Sequence, residues 1–214
     1  TGGFLGREVK FVDTANTGTA LVSPTDAAGG EIQPGSGVTG CLSAPAQGDG
    51  ESNRDGRKCV LKSVFIEGRV DCSSQTNQTA TENASQVFIA LVQDRQTNGV
   101  TINSEDVYTN PGASGALAAS PLRDQQQLSR FKVLATRTFT LQNPNMSWDG
   151  TNIEQNGLSK PFKIYKKLNI PVNFTGTTAD VANVVDNSLH LIAYTSSTGL
   201  APNIRYNCRV RFVG

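Results

Sequence analysis

The chain is predicted to be an all-β fold, and three observations carry the prediction. Helical periodicity is nearly absent along its 214 residues. Short runs rich in Val, Ile, Phe and Thr recur between clusters of Gly, Asn, Asp and Ser, the pattern of a sandwich or barrel. Two segments towards the C-terminus alternate apolar and polar residues with the period of two that a half-buried strand requires.

Eight strands are placed at 7–13, 18–23, 57–71, 85–94, 130–142, 160–174, 187–196 and 203–213. In 57–71 and 85–94 both faces carry apolar residues (Val60, Leu61, Val64, Phe65 and Ile66; Val87, Phe88, Ile89, Leu91 and Val92). Such strands belong in the middle of a sheet, with the second face expected against a neighbouring subunit. In 160–174, Phe162, Ile164, Leu168, Ile170, Val172 and Phe174 share one face, with Lys166 as the exception. Lys163, Tyr165, Lys167, Asn169 and Asn173 share the other, and Pro171, lacking a ladder donor, marks an edge or a bulge. The last strand alternates most cleanly: Ile204, Tyr206, Cys208, Val210 and Phe212 point one way, and Arg205, Asn207, Arg209 and Arg211 the other. Long polar stretches at 24–56, 72–84, 96–129 and 143–159 separate the strands, and loops of that length usually carry function. Ser104-Glu-Asp offers a cap and an acidic first turn for a short helix, and a second helical turn is expected through Leu122 to Leu128.

The balance of 19 basic and 18 acidic residues names no polyanionic partner by itself, but the charge is uneven. Acids dominate up to Gly56 and bases dominate from Lys160 onward, which suggests one face made for an anionic partner. Within that basic half, Arg205, Arg209 and Arg211 share one strand face and Lys163 and Lys167 another. Joined in one sheet, with Lys160 nearby, they would form a cationic surface for phosphates, and Tyr165 would add a stacking platform for bases. The competing reading is solubility and salt bridges between subunits.

Other chemistry is thinly supported. Four cysteines (Cys41, Cys59, Cys72 and Cys208) show no CxxC spacing, and His190 is the only histidine, so no zinc site is expected and the thiols are expected to be mostly buried and reduced. His190 lies in a strand pattern, where a lone histidine is as a rule structural, and no GxSxG, HExxH or Walker sequence occurs. No enzyme is expected. Asp49, Glu51 and Asp55 cluster in a flexible loop and are a weak calcium candidate, although Arg54 and Arg57 stand ready to neutralise them. The sequons at Asn77, Asn83, Asn145 and Asn173 are no more than the composition produces by chance. No apolar run approaches a membrane span, and no leader pattern is present.

Read in order, several segments resemble the coat proteins of geminiviruses and their relatives among circular, Rep-encoding single-stranded-DNA viruses. They are Gly48-Asp-Gly with Asp55-Gly-Arg-Lys-Cys-Val-Leu-Lys-Ser-Val-Phe-Ile-Glu-Gly-Arg-Val, then Val87-Phe-Ile-Ala-Leu-Val-Gln-Asp-Arg and Ser129-Arg-Phe-Lys-Val-Leu. Lys160-Pro-Phe-Lys-Ile-Tyr-Lys-Lys, Asp186-Asn-Ser-Leu-His-Leu-Ile-Ala-Tyr and Arg205-Tyr-Asn-Cys-Arg-Val-Arg-Phe complete the set. The resemblance implies a single eight-stranded antiparallel jelly roll over residues 1–214, a small icosahedral shell of identical copies (T=1 favoured), packaging of circular ssDNA, and no catalysis. It further implies residence in the virion, with assembly in the host nucleus. The family's basic N-terminal arm has no counterpart, since Arg7 is the first charge, and is expected upstream of Thr1. The cysteine-histidine arrangement of some members is missing as well.

Two alternatives use the same residues. A coat protein of a small RNA or satellite virus obeys the same charge logic. A jelly-roll carbohydrate-binding module would present aromatic platforms, for which Trp148, Tyr108, Tyr165 and Tyr194 are the candidates.

Overall fold

Period-two patterning becomes strands in a computed structural model that describes residues 8–20, 41–71, 84–102, 104–109, 122–142, 146–148, 153–155, 159–195 and 202–214. The elements are β1 (Lys10–Ala20), β2 (Lys58–Asp71), β3 (Ala84–Asp94), α1 (Ser104–Val107), β4 (Tyr108–Thr109), β5 (Leu122–Arg123), β6 (Phe131–Gln142), β7 (Met146–Trp148), β8 (Ile153–Gln155), β9 (Ser159–Asn173), β10 (Ser188–Thr195) and β11 (Asn203–Val213).

Seven long strands form two antiparallel sheets, ordered β1-β11-β2-β9 and β10-β3-β6. From β2 to β3, β6 to β9, β9 to β10 and β10 to β11 the chain changes sheet, while β3 and β6 pair directly. That winding is the jelly-roll order. The segments expected at 7–13 and 18–23 are not two strands. From Lys10 onward their described residues lie in β1, whose register against β11 shifts between Asn16 and Thr19, so a bulge lies where the two segments were read as separate. The helical turn at Ser104 is present. The one expected from Leu122 is not: Leu122 and Arg123 pair with Thr109 and Tyr108. A 3₁₀ turn at Val181–Asn183 was not foreseen, although Asp180 caps it by accepting from the Ala182 N–H at 2.9 Å.

One core fills the space between the sheets. Leu61, Val64 and Ile66 of β2 and the alternate residues Ile204 to Phe212 of β11 meet Val87, Ile89 and Leu91 of β3 and Leu189, Leu191 and Ala193 of β10. A second core covers the opposite face of β3 and β10. Phe88, Ala90, Val92, Ile192 and Tyr194 pack against Ile102, Val107, Tyr108 and Phe131, with the Phe88 ring 5.2 Å from both Tyr108 and Tyr194. The second apolar face of β3 is therefore covered by the chain's own Ile102, Val107, Tyr108 and Phe131, not by a neighbouring subunit as the pattern had suggested. Asp94, fully buried, anchors that excursion: it accepts from the Arg130 guanidinium at 3.0 and 3.1 Å and from the Gln96 N–H at 2.9 Å, so both ends of the loop are tied to one carboxylate.

β9 is the edge of its sheet, with Pro171 exposed, as its proline predicted. In β2 the glycine at position 68 has a packing reason. It lies opposite Tyr206, and a Cβ there would come within 2.6 Å of the Tyr206 Cβ. Gly68→Ala is expected to destabilise the protein by about 2 kcal/mol or more, because the added methyl would also meet the Arg205 carbonyl oxygen and the Tyr206 Cα, strand backbone that cannot yield. Urea denaturation of the variant against the parent measures it.

Candidate nucleic-acid interface

The register of the four-stranded sheet decides which side chains share its outer face. Reading from β1 through β11 and β2 to β9, one row is Phe11, Arg211, Ser63, Lys167 and the next is Asp13, Arg209, Phe65, Tyr165. The third is Ala15, Asn207, Glu67, Lys163, and further along Arg205, Arg69 and Pro161 stand abreast. Six cations (Arg69, Lys163, Lys167, Arg205, Arg209 and Arg211) thus share a face with three acids (Asp13, Glu67 and Asp71). The basic residues singled out from the two strands belong to one sheet and one face, separated by β2.

Lys160 is the exception. Its register partner is Val70, on the core-facing set, and it emerges exposed only because the strand begins there. It does not join the row of Lys163 and Lys167.

The cations are not equivalent. Arg209 donates to both Asp13 oxygens at 2.6 and 2.7 Å and lies 4.5 Å over the Phe11 ring, which holds it towards β1. The same hydrogen bonds hold the Asp13 carboxyl below its usual range. Lys163 stands 3.6 Å from Glu67, and Arg69 and Arg205 share Asp71 at 3.2 and 3.6 Å. Arg211 and Lys167 have no ion-pair partner among the described residues, and they flank Ser63 in a row without an acid. Two strand spacings, about 10 Å, separate them.

At the centre of the face, Phe65 and Tyr165 are cross-strand neighbours, and Tyr165 is 55% exposed. Beside them opens a shallow depression of ≈ 430 Å³ lined by Asp13, Ala15, Phe65, Glu67, Asn207 and Arg209. Phe65 was legible only as an apolar residue on the wrong face of a central strand. The acids escaped sequence reasoning because Asp13 meets Arg209 across 196 positions.

The other candidates fare differently. Asp49, Glu51 and Asp55 are exposed, and among the described residues no three His, Cys, Asp or Glu side chains gather as a metal would need. Asp55 pairs instead with Lys10. Arg54 neutralises none of these acids: fully buried, it donates to the carbonyls of Pro45, Gly56 and Gly176 and lies 4.2 Å over the Phe174 ring, pinning the 45–57 loop to the strand ends. Ser188 and His190 touch at 2.7 Å, a nucleophile-and-base pairing by type, but both are sealed from solvent, and Ser188 also bonds Thr97 at 2.6 Å. The thiols of Cys41, Cys59 and Cys208 are free and buried, and burial pushes Cys59 and Cys208 up to about 12, far from reactive thiolates. Cys72, the N-terminal residues 1–7, and the sequons at Asn77, Asn83 and Asn145 lie outside the described residues. Of the aromatic platforms for a glycan, Tyr108 and Tyr194 are buried in the second core, leaving Tyr165 among those whose side chains are described.

No family model and no curated protein matches the chain. Two solved structures superpose loosely over nearly the whole length: the 60-mer capsid protein of BFDV (8% identity, TM-score 0.32, covering 98% of this chain and 95% of that one) and VP1 of Trichodysplasia spinulosa-associated polyomavirus (10% identity, TM-score 0.21, covering 96% and 94%). Likenesses this distant carry no weight on what the chain does.

Proposed function

We propose that the chain is a capsid subunit whose copies close into a small icosahedral shell around a circular ssDNA genome, with the outer face of the β1-β11-β2-β9 sheet turned to the nucleic acid. The observation that carries the reading is the row geometry of that face: unpaired Arg211 and Lys167 beside the Phe65 and Tyr165 rings. Cations give sequence-independent affinity for phosphates, and open rings accept the unstacked bases that only a single strand offers. The ordered resemblance to geminivirus-like coat segments supports the same reading independently, and the jelly-roll winding suits a shell subunit. The protein's part is structural and needs no cofactor.

Light scattering and electron microscopy of the purified protein are expected to find closed particles, and the polynucleotide extracted from them is expected to be degraded by deoxyribonuclease. A monomer at every salt and pH would end the proposal, and extracted material degraded by ribonuclease alone would transfer it to an RNA genome.

Ion pairing sharpens the choice of variants. Reversing Arg209 or Arg205 also sets it against Asp13 or Asp71 and confounds packaging with folding. Arg211→Glu with Lys167→Glu avoids this, and is expected to lower the packaged nucleic acid and flatten the salt dependence of ssDNA binding by about two counterions. Conversely, Asp13→Asn releases Arg209. Because the carboxyl's folded pKa is lowered from 3.8, the parent keeps this pair at any pH above that value and loses it only in stronger acid. The variant is therefore expected at neutral pH to bind ssDNA more tightly, with a salt slope steeper by about one, while the parent reaches that state only as acid titrates Asp13.

A further inference from the structure

We infer that the depression between β1, β11 and β2 is a nucleobase subsite that favours bases bearing an exocyclic amino group, cytosine over thymine. The inference rests on the nucleic-acid reading of this face and goes beyond it by assigning a preference.

Three side chains in one row carry the argument. Ala15, Asn207 and Glu67 are register partners across β1, β11 and β2. Ala15 is too small to fill its place, which opens the depression above it. The Asn207 amide has no hydrogen-bond partner among the described residues, so it can still donate and accept. Glu67 is exposed, and its one ionic contact among the described residues is Lys163 at 3.6 Å, beyond hydrogen-bond length, so its carboxylate oxygens keep acceptor capacity. Phe65, in the adjoining row of β2, supplies the ring against which a base lies. The Lys163 ammonium, 5.1 Å from that ring and exposed, can swing to the phosphate of the same nucleotide.

The chemistry then selects. A base stacked on Phe65 presents its pairing edge to Asn207 and Glu67. Cytosine offers its 4-amino group to the carboxylate and its N3 to the amide N–H, satisfying both. Adenine offers the same amino donor beside a ring-nitrogen acceptor through its 6-amino group and N1, and guanine offers the carboxylate two donors at once, its N1–H and 2-amino group. Thymine in the cytosine pose sets its O4 against the carboxylate and its N3–H against the amide, and when shifted to give that N–H to the carboxylate it brings a carbonyl oxygen up on either side. Asp13 lines the same depression but both its oxygens are taken by Arg209, so Glu67 makes the selection. From Lys163 the backbone runs on towards the Arg211 and Lys167 row, one step beyond the rings.

Fluorescence anisotropy of the full chain with labelled oligo(dC) and oligo(dT) of equal length tests it, since the two pyrimidines stack alike and differ at the amino group. Oligo(dC) is expected to bind about fivefold more tightly, the low end of what a base-edge contact provides. Asn207→Ala is expected to bring oligo(dC) down to the oligo(dT) level while oligo(dT) binding stays as it was, and Glu67→Gln, which also frees Lys163, is expected to tighten both oligonucleotides while abolishing the difference between them. Arg211→Glu is expected to weaken both oligonucleotides equally. Equal affinity in the parent, or a cytosine preference that survives both substitutions, overturns the subsite and leaves the nucleic-acid face standing. Failure of either oligonucleotide to bind at all would overturn the face itself, and the subsite with it.

Discussion

The register of β11 is the constraint on which the rest of this structure depends. It is an interior strand of its sheet, paired with β1 on one side and β2 on the other, and its residues alternate without a fault from Ile204 to Phe212. A slip of one residue would drive three arginines into the space between the sheets and expose Tyr206 and Phe212. Desolvating unpaired guanidinium groups there would cost far more than the whole fold is worth. The buried half of the strand therefore locks the exposed half. Once β11 is fixed, Asp13, Phe65, Glu67 and Arg69 fall into line beside its arginines, and Gly68 is required opposite Tyr206.

Pairing makes that face selective in its charge. Three acids occupy four of the six cations, and the contacts are exposed enough that water screens them, so they add little to stability. Their effect is positional. They neutralise the middle and one end of the face and leave positive charge unopposed at Arg211 and Lys167. A stripe that counts as five basic residues in sequence leaves, among the described residues, two cations without an acid next to an aromatic floor.

What the sequence made legible, and what it hid, follows from the range of the interactions. Alternation is a local property, so the faces of β9 and β11 and the edge position announced by Pro171 could be read directly. The bulge in β1 is set by its partner strand, which is why one strand read as two. Ile102, Val107 and Tyr108 look like scattered apolar residues in a polar loop, and only the tertiary return of that loop over Phe88 and Tyr194 turns them into a second core. Asp13 and Glu67 were invisible for the same reason, because each meets its cation on a neighbouring strand, whereas Asp71 meets Arg69 within β2 and Arg205 across the sheet. Lys160 was misplaced by proximity: it belongs to the basic run of β9, but strand parity sends it to the other side.

The two cores bear on how a face like this can work in an assembly. Because β3 and β10 are covered by their own chain, the three-stranded sheet does not need a partner to bury its second apolar face. Folding would then not depend on the association of copies that the capsid reading proposes, and a nearly neutral chain, with formal net charge +1, would resist neither step by self-repulsion. A face with six unopposed cations would repel its counterparts in a shell until nucleic acid arrived. The acids lower that repulsion and still leave attraction at one edge of the aromatic floor. On the proposed capsid reading, moderate charge at fixed positions would let closure of a shell and capture of a polyanion proceed without opposing each other.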